Sequence, residues 1–249
     1  MAFASFCPEV WAHYFNLPDR AFPTLWSLTH WLSMGEIMRL LSVFLLLFIS
    51  ASASAEAPKI SSVINLYGVT FQYGAPPWIS KGENLLKEVK PYRQQRGNDF
   101  VFELIPAAES FDSWKTLFAI NAGRINRVIP AKMWKDYNLT TFKSVCWGFK
   151  EKILSMDDNT ALVQITCPRV VGKPLMKGYE GGVGEIGIFA FMVVGNVLIN
   201  HHLEWRGHGF DPDDKASWPA TQEQIDKGIK LMQSVKAMKG NMVVSFDPS

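Results

Sequence analysis

Apolar and polar residues alternate along Asp99-Phe-Val-Phe-Glu-Leu-Ile-Pro106, which puts Phe100, Phe102 and Leu104 on one side of a strand. Residues 63–73 are rich in Val, Phe and Tyr and break at Gly74-Ala-Pro-Pro77, so they read as an opening strand and a turn. Residues 79–96 are polar and mixed, and read as a short helix or a long loop. A further strand is expected over 114–120, ended by Asn121-Ala-Gly123. The period then changes. After Pro130, the residues Trp134, Asn138, Phe142 and Val145 fall near one face of a helix over 130–145.

Two hairpins follow. Residues 146–154 and 161–167 flank Ser155-Met-Asp-Asp-Asn-Thr160, and residues 186–194 and 197–205 flank Gly195-Asn196. The first arm of the second hairpin is nearly all Ile, Phe, Met and Val, the pattern of a central strand covered on both sides. The last element opens with a capping box, Thr221-Gln-Glu-Gln224, and carries an apolar stripe of Ile225, Ile229, Met232 and Val235. With Lys236 and Lys239 in its last turn and Gly240 as its stop, it reads as an amphipathic helix over 221–240. Antiparallel hairpins with helices that must lie on a sheet predict an α+β fold. The expected form is a layered sandwich, an antiparallel β-sheet flanked by helices.

One apolar run stands apart from these elements. Arg39 leads into apolar residues 40–49, and the chain continues Ser-Ala-Ser-Ala-Ser-Ala-Glu-Ala57. A transmembrane helix needs about 20 apolar residues and this run is about half as long. We read residues 34–55 as a secretory signal peptide cleaved after Ala53 or Ala55, in preference to an uncleaved anchor. Residues 1–33 carry Trp11, Trp26, Trp31 and the helix-breaking Pro8, Pro18 and Pro23, with no basic lead. They are expected to be an over-extended gene start, with Met34 or Met38 as the true one, or else a hydrophobic arm. Residues 56–249 are then a single α+β domain, and no membrane span is expected after cleavage.

Composition adds three constraints. About 190 residues suffice for one proper core. A hydrophobic content of 48% with 19% charged residues is globular, and a net charge of +2 without a basic block implies no nucleic-acid partner. Export also changes the cysteines: Cys146 and Cys167 are the two left in the mature part, and they are expected to form a disulfide, not a nucleophile.

The candidate chemistry lies in His201-His202-Leu-Glu204-Trp-Arg206-Gly-His208. On a strand, His202, Glu204 and Arg206 share one face, which is the candidate binding face, and His201, Leu203 and Trp205 share the other. Such a row suits anion binding or acid–base work. Its structural alternatives are a solvent-facing ion-paired row or a buried Arg206 that ties down a loop. His201, His208 and Asp211 are weak candidates for a metal, because their spacing matches no zinc signature. Gly182-Val-Gly184-Glu-Ile-Gly187 spells a dinucleotide motif but leads into a strand, where the motif needs a helix. No catalytic residue and no cofactor are assigned.

The order of elements resembles a known group. A strand ending Phe-Glu-Leu-Ile-Pro106 leads through an acidic turn to Ser-Trp114 and another strand. A helix follows, then a hairpin ending Cys167-Pro168, a Gly-Glu185 strand, an arm ending Trp205-Arg206-Gly207 and a terminal helix. Over roughly residues 62–240 this is similar to exported bacterial proteins of unknown function with a PsbP-like fold. The resemblance implies an α/β/α sandwich around an antiparallel sheet and a scaffold for binding rather than catalysis. The expectation is thus an exported, non-enzymatic periplasmic or secreted accessory protein that binds an unknown envelope partner. The alternative is a small metal-dependent hydrolase or ligand-binding protein centred on residues 201–208.

Overall fold

A computed structural model describes residues 60–79, 85–171 and 182–246. The expected leader and residues 1–33 lie outside the described residues.

The described residues open with two strands where the sequence suggested one. β1 (Ile60–Leu66) and β2 (Val69–Gly74) pair antiparallel. The turn between them places Tyr67 at φ 54° and Gly68 at φ 83°, and Asn65 Oδ1 accepts the Gly68 N–H at 3.1 Å. A tyrosine in the left-handed region carries no local sequence signal, so the break was not legible.

The ambiguous stretch that follows holds a one-turn helix α1 (Leu85–Glu88) and the strand β3 (Val89–Arg96), which forms a hairpin with β4 (Asp99–Pro106). β5 (Thr116–Arg124) runs through Asn121-Ala-Gly123, because Gly123 and Arg124 still pair with a later strand. α2 (Ala131–Val145) starts after Pro130, as expected. β6 (Cys146–Trp147) and β9 (Arg169–Val170) form a small ladder outside the hairpin of β7 (Lys150–Met156) and β8 (Thr160–Cys167). β10 (Val183–Val194) and β11 (Val197–His208) form the long central hairpin. α3 (Gln222–Gln233), β12 (Lys236–Lys239) and β13 (Met242–Ser245) close the chain.

The main sheet is antiparallel and seven-stranded, in the order β3-β4-β5-β11-β10-β8-β7. Its middle strand is β11, and beside it lies β10, the arm whose apolar composition marked it as central. A second sheet has the order β1-β2-β12-β13.

The capping box of α3 forms in full: Gln224 N–H donates to Thr221 Oγ1, and Gln224 Oε1 accepts the Thr221 N–H. The helix ends at Gln233, however, seven residues short of its expected stop at Gly240. Val235 and Ala237 stay buried, but Ala237 pairs with Phe71 of β2, so the stretch after the helix is drawn into the small sheet. Propensity gives way here to strand pairing, which tertiary context supplies.

Strand alternation divides the central hairpin between two layers. Phe189 and Phe191 face α2, through edge contacts with Phe142 and Trp134. Ile188, Leu203 and Trp205 face α3, where a Cβ on Gly228 would sit 2.8 Å from Trp205, so the helix can approach only as glycine. His201 and Phe118 share that second face and meet Phe71 and Tyr73 of the small sheet. One side of the main sheet therefore carries α2, and the other carries α3 together with four short strands. The α+β class and the antiparallel sheet hold, while the helical cover is thinner than an α/β/α sandwich. All described residues fall in one compact unit. Among them, no helix is long and apolar enough to cross a membrane.

Cys146 and Cys167 form a disulfide with Cα atoms 5.6 Å apart. It ties the end of α2 to the end of β8 and closes a separation of 21 residues. By chain entropy such a loop contributes about 3 kcal/mol. Thiol titration of denatured, unreduced protein should find neither cysteine free, and the paired Cys→Ser variant should lose stability of that order in urea titrations.

Candidate functional site

Strand β11 carries the polar row, and the structure places its members on one face, as alternation requires. All three are buried: Glu204 is 3% exposed, His202 4% and Arg206 7%. Neighbouring strands add buried groups to the same face. Glu185 stands opposite Arg206 on β10, Glu103 lies on β4, Asn121 on β5, and Asn200 one step back along β11. The face thus gathers three carboxyls, one imidazole and one guanidinium in the core.

The histidine and its neighbours form a directional chain. His202 Nε2 is 2.8 Å from Glu204 Oε1, and its Nδ1 is 3.3 Å from Asn200 Oδ1. Asn200 Nδ2 donates to Asn138 Oδ1 at 3.4 Å, and Asn138 Nδ2 donates to Trp134 O at 2.7 Å in α2. The amide of Asn200 fixes the direction: its oxygen must accept, so His202 Nδ1 carries the proton. On a neutral ring Nε2 is then an acceptor, and a protonated Glu204 Oε1 is placed to donate to it, whereas an imidazolium would donate to a Glu204 carboxylate.

Burial agrees with this neutral pairing. It pushes His202 down to about 4 and raises the Glu204 carboxyl above the usual range, with Glu185 hydrogen bonding offsetting part of the rise. Burial also lifts Glu103 to about 7. His202 stacks on Phe189 with centroids 4.8 Å apart, which holds the ring in the sheet plane's cover.

Arg206 does something different. Its Nε donates to Trp114 O at 3.0 Å, its guanidinium lies 3.9 Å over the Trp114 ring, and its backbone N–H donates to Lys115 O at 2.8 Å. Glu109 Oε2 accepts the N–H of Lys115 at 2.6 Å and of Thr116 at 3.2 Å, fixing the same connection from within. Arg206 thus ties down the loop between β4 and β5, one of the structural alternatives that the sequence left open.

The weak metal candidates are not brought together. His201 points to the opposite face, where Nδ1–H donates to Ala119 O at 2.8 Å inside a cage of Phe71, Tyr73 and Phe118. Burial takes His201 down to about 3. His208 is exposed at the end of β11, and Asp211 sits in the next loop with Oδ1 accepting the Asp213 N–H at 2.9 Å. Among the described residues, no three His, Cys, Asp or Glu side chains assemble as a metal site. The glycine motif is likewise part of a strand: a Cβ at Gly184 would meet Phe210 at 2.5 Å, so this glycine serves close packing.

Sequence reasoning missed Glu103, Glu185, Asn200 and Trp114 as members of the row. Glu103 did leave a signal, since it is a carboxylate in an otherwise apolar strand. Glu185 and Trp114 join from distant segments, while Asn200 lies two residues before His202 on β11, where alternation alone puts it on the same face.

Fold and polar row define an α+β protein on an antiparallel sheet, whose most reactive residue types are spent inside the core. No family model matches the chain, and no curated protein matches it. Among solved structures it is similar to the Ran-binding protein Mog1p of Saccharomyces cerevisiae, at 10% identity and a TM-score of 0.40, over 76% of this chain and 97% of that one.

Proposed function

We propose that this chain is an exported, non-enzymatic accessory or binding protein, acting in the periplasm or outside the cell, which engages an envelope protein through its surface. The observation that carries this reading is the burial of His202, Glu204 and Arg206. His202 and Arg206 are held by partners in the core, which leaves recognition to exposed strands and loops. The signal-peptide pattern over residues 34–55 and the Cys146–Cys167 disulfide support export, because such bridges persist in oxidising compartments. The PsbP-like order of elements belongs to the same reading.

Cross-linking in intact cells, followed by fractionation and mass spectrometry, tests it. The expected product is a mature chain starting near Glu56, joined to one discrete envelope protein in a constant ratio. A cytoplasmic chain still carrying residues 1–33 overturns the export half, and the absence of any reproducible adduct overturns the binding half. Metal analysis of untagged protein separates the enzyme alternative. We expect less than stoichiometric zinc, whereas one zinc per chain lost in His208→Ala would restore a metal-dependent hydrolase.

A further inference from the structure

Strand β7 ends the main sheet and, among the described residues, pairs only with β8. The opposite edge, β3, carries Pro91, which removes a donor and blunts the strand. β7 has no proline and exposes Ile153 and Met156. A bulge between Ile153 and Ser155 shifts its register against β8, so the unbroken four-residue run of the strand is Lys150–Ile153.

That run borders a cleft of about 440 Å³. Gln164 and Thr166 form its floor opposite Lys152 and Lys150, and Pro212, Asp213, Lys215 and Trp218 form its far wall. Its charge is one-sided. Lys150 reaches Asp213 at 3.1 Å, but Lys215 is bonded to the neutral Gln222, and Glu151 is engaged on the other face by Lys135 and Lys143. Three lysines therefore face one carboxylate, beside an aromatic wall and an open strand edge.

We propose that the Lys150–Ile153 half of β7 receives an extended segment of a partner protein in which acidic and apolar residues alternate. An added strand takes its main-chain hydrogen bonds from the edge. With a period of two, its acidic side chains fall beside Lys150 and Lys152 and its apolar ones beside Ile153. Lysines on an edge also repel unsuitable strands, and here they restrict the edge to an acidic one. This inference rests on the protein-binding reading above and names the surface that serves it.

The test uses protein expressed from the full-length gene and purified as it accumulates, with the peptide Thr-Glu-Val-Glu-Val-Glu-Thr as probe. Amide NMR should show shifts concentrated at residues 150–153 and at the Trp218 indole. Affinity should fall about tenfold or more in the Lys150→Glu/Lys152→Glu variant, and steeply with salt. The Lys-for-Glu peptide should not bind. Shifts located elsewhere, or undiminished binding to the double variant, overturn the proposal. So does concentration-dependent self-association through β7, which would give the edge to a second copy. An envelope partner cross-linked equally well by the double variant removes this site while leaving the binding reading intact. Loss of every partner from the wild-type chain removes that reading whatever the peptide does.

Discussion

Arg206→Ala should destabilise the protein by about 3–5 kcal/mol at neutral pH, the cost of breaking a buried charge arrangement by removing one member. The side chain stacks on Trp114, bonds its carbonyl and supplies the positive charge beside Glu204 and Glu185. Its loss should also free the connection between β4 and β5, so amide exchange at Lys115 and Thr116 should quicken together with the fall in stability. Arg206→Lys should recover less than half of the loss, since an ammonium cannot reproduce the planar stack and the bond at once. Urea titrations of the three proteins decide this. A loss below about 1 kcal/mol for Arg206→Ala would mean that the guanidinium is held by little and is available to a ligand.

Acid should unfold the protein through its two buried imidazoles. His201 at about 3 and His202 at about 4 lie below their ordinary value of 6.5. The native state thus binds fewer protons than the unfolded one, and this contribution to stability, complete above pH 6.5, is lost as pH falls toward 4 and 3. Glu103 works the other way: raised from 4.5 to about 7, its contribution is complete below pH 4.5 and is lost as pH rises through 7. Glu204 is raised in the same sense. Between pH 6.5 and 4.5 the histidines and carboxyls oppose one another, and stability should change little. Below 4.5 the histidines act together with Asp136 and Glu151, whose carboxyls stand below the usual range in the folded state, and stability should drop steeply. His201→Phe, which leaves the cage of Phe71, Tyr73 and Phe118 filled, should remove on the order of 3–5 kcal/mol of that acid sensitivity. Urea midpoints measured from pH 3 to 8 give the result. An acid limb unchanged in His201→Phe would assign the sensitivity elsewhere.

The parts of this molecule that could be read in advance are those where a short stretch decides its own fate. The β10–β11 hairpin and its central position follow from an apolar run interrupted by Gly195-Asn196, and the α3 start from Thr221 and Gln224. Alternation alone placed His202, Glu204 and Arg206 together and His201 apart. What could not be read depends on partners far along the chain. The turn at Tyr67 breaks a local rule, β3 has no apolar face to announce it, and residues 236–239 leave the helix because β2 is there to pair with them. The same limit applies to the polar row. Sequence spacing identifies a face but not its burial, and burial depends here on Trp114, on Asn138 of α2, and on carboxyls from β4 and β10.

The central claim is that the His202–Glu204–Arg206 row is a sealed, structural part of the core in which the imidazole stays neutral. Imidazole ¹⁵N chemical shifts of histidine-labelled protein, followed from pH 8 down to acid unfolding, test it most directly. The account predicts that His202 keeps one proton, on Nδ1, through that whole range. Titration of His202 between pH 6 and 7, or a shift of its Nε2 on adding zinc, would show a group open to solvent and ligands and would contradict the account.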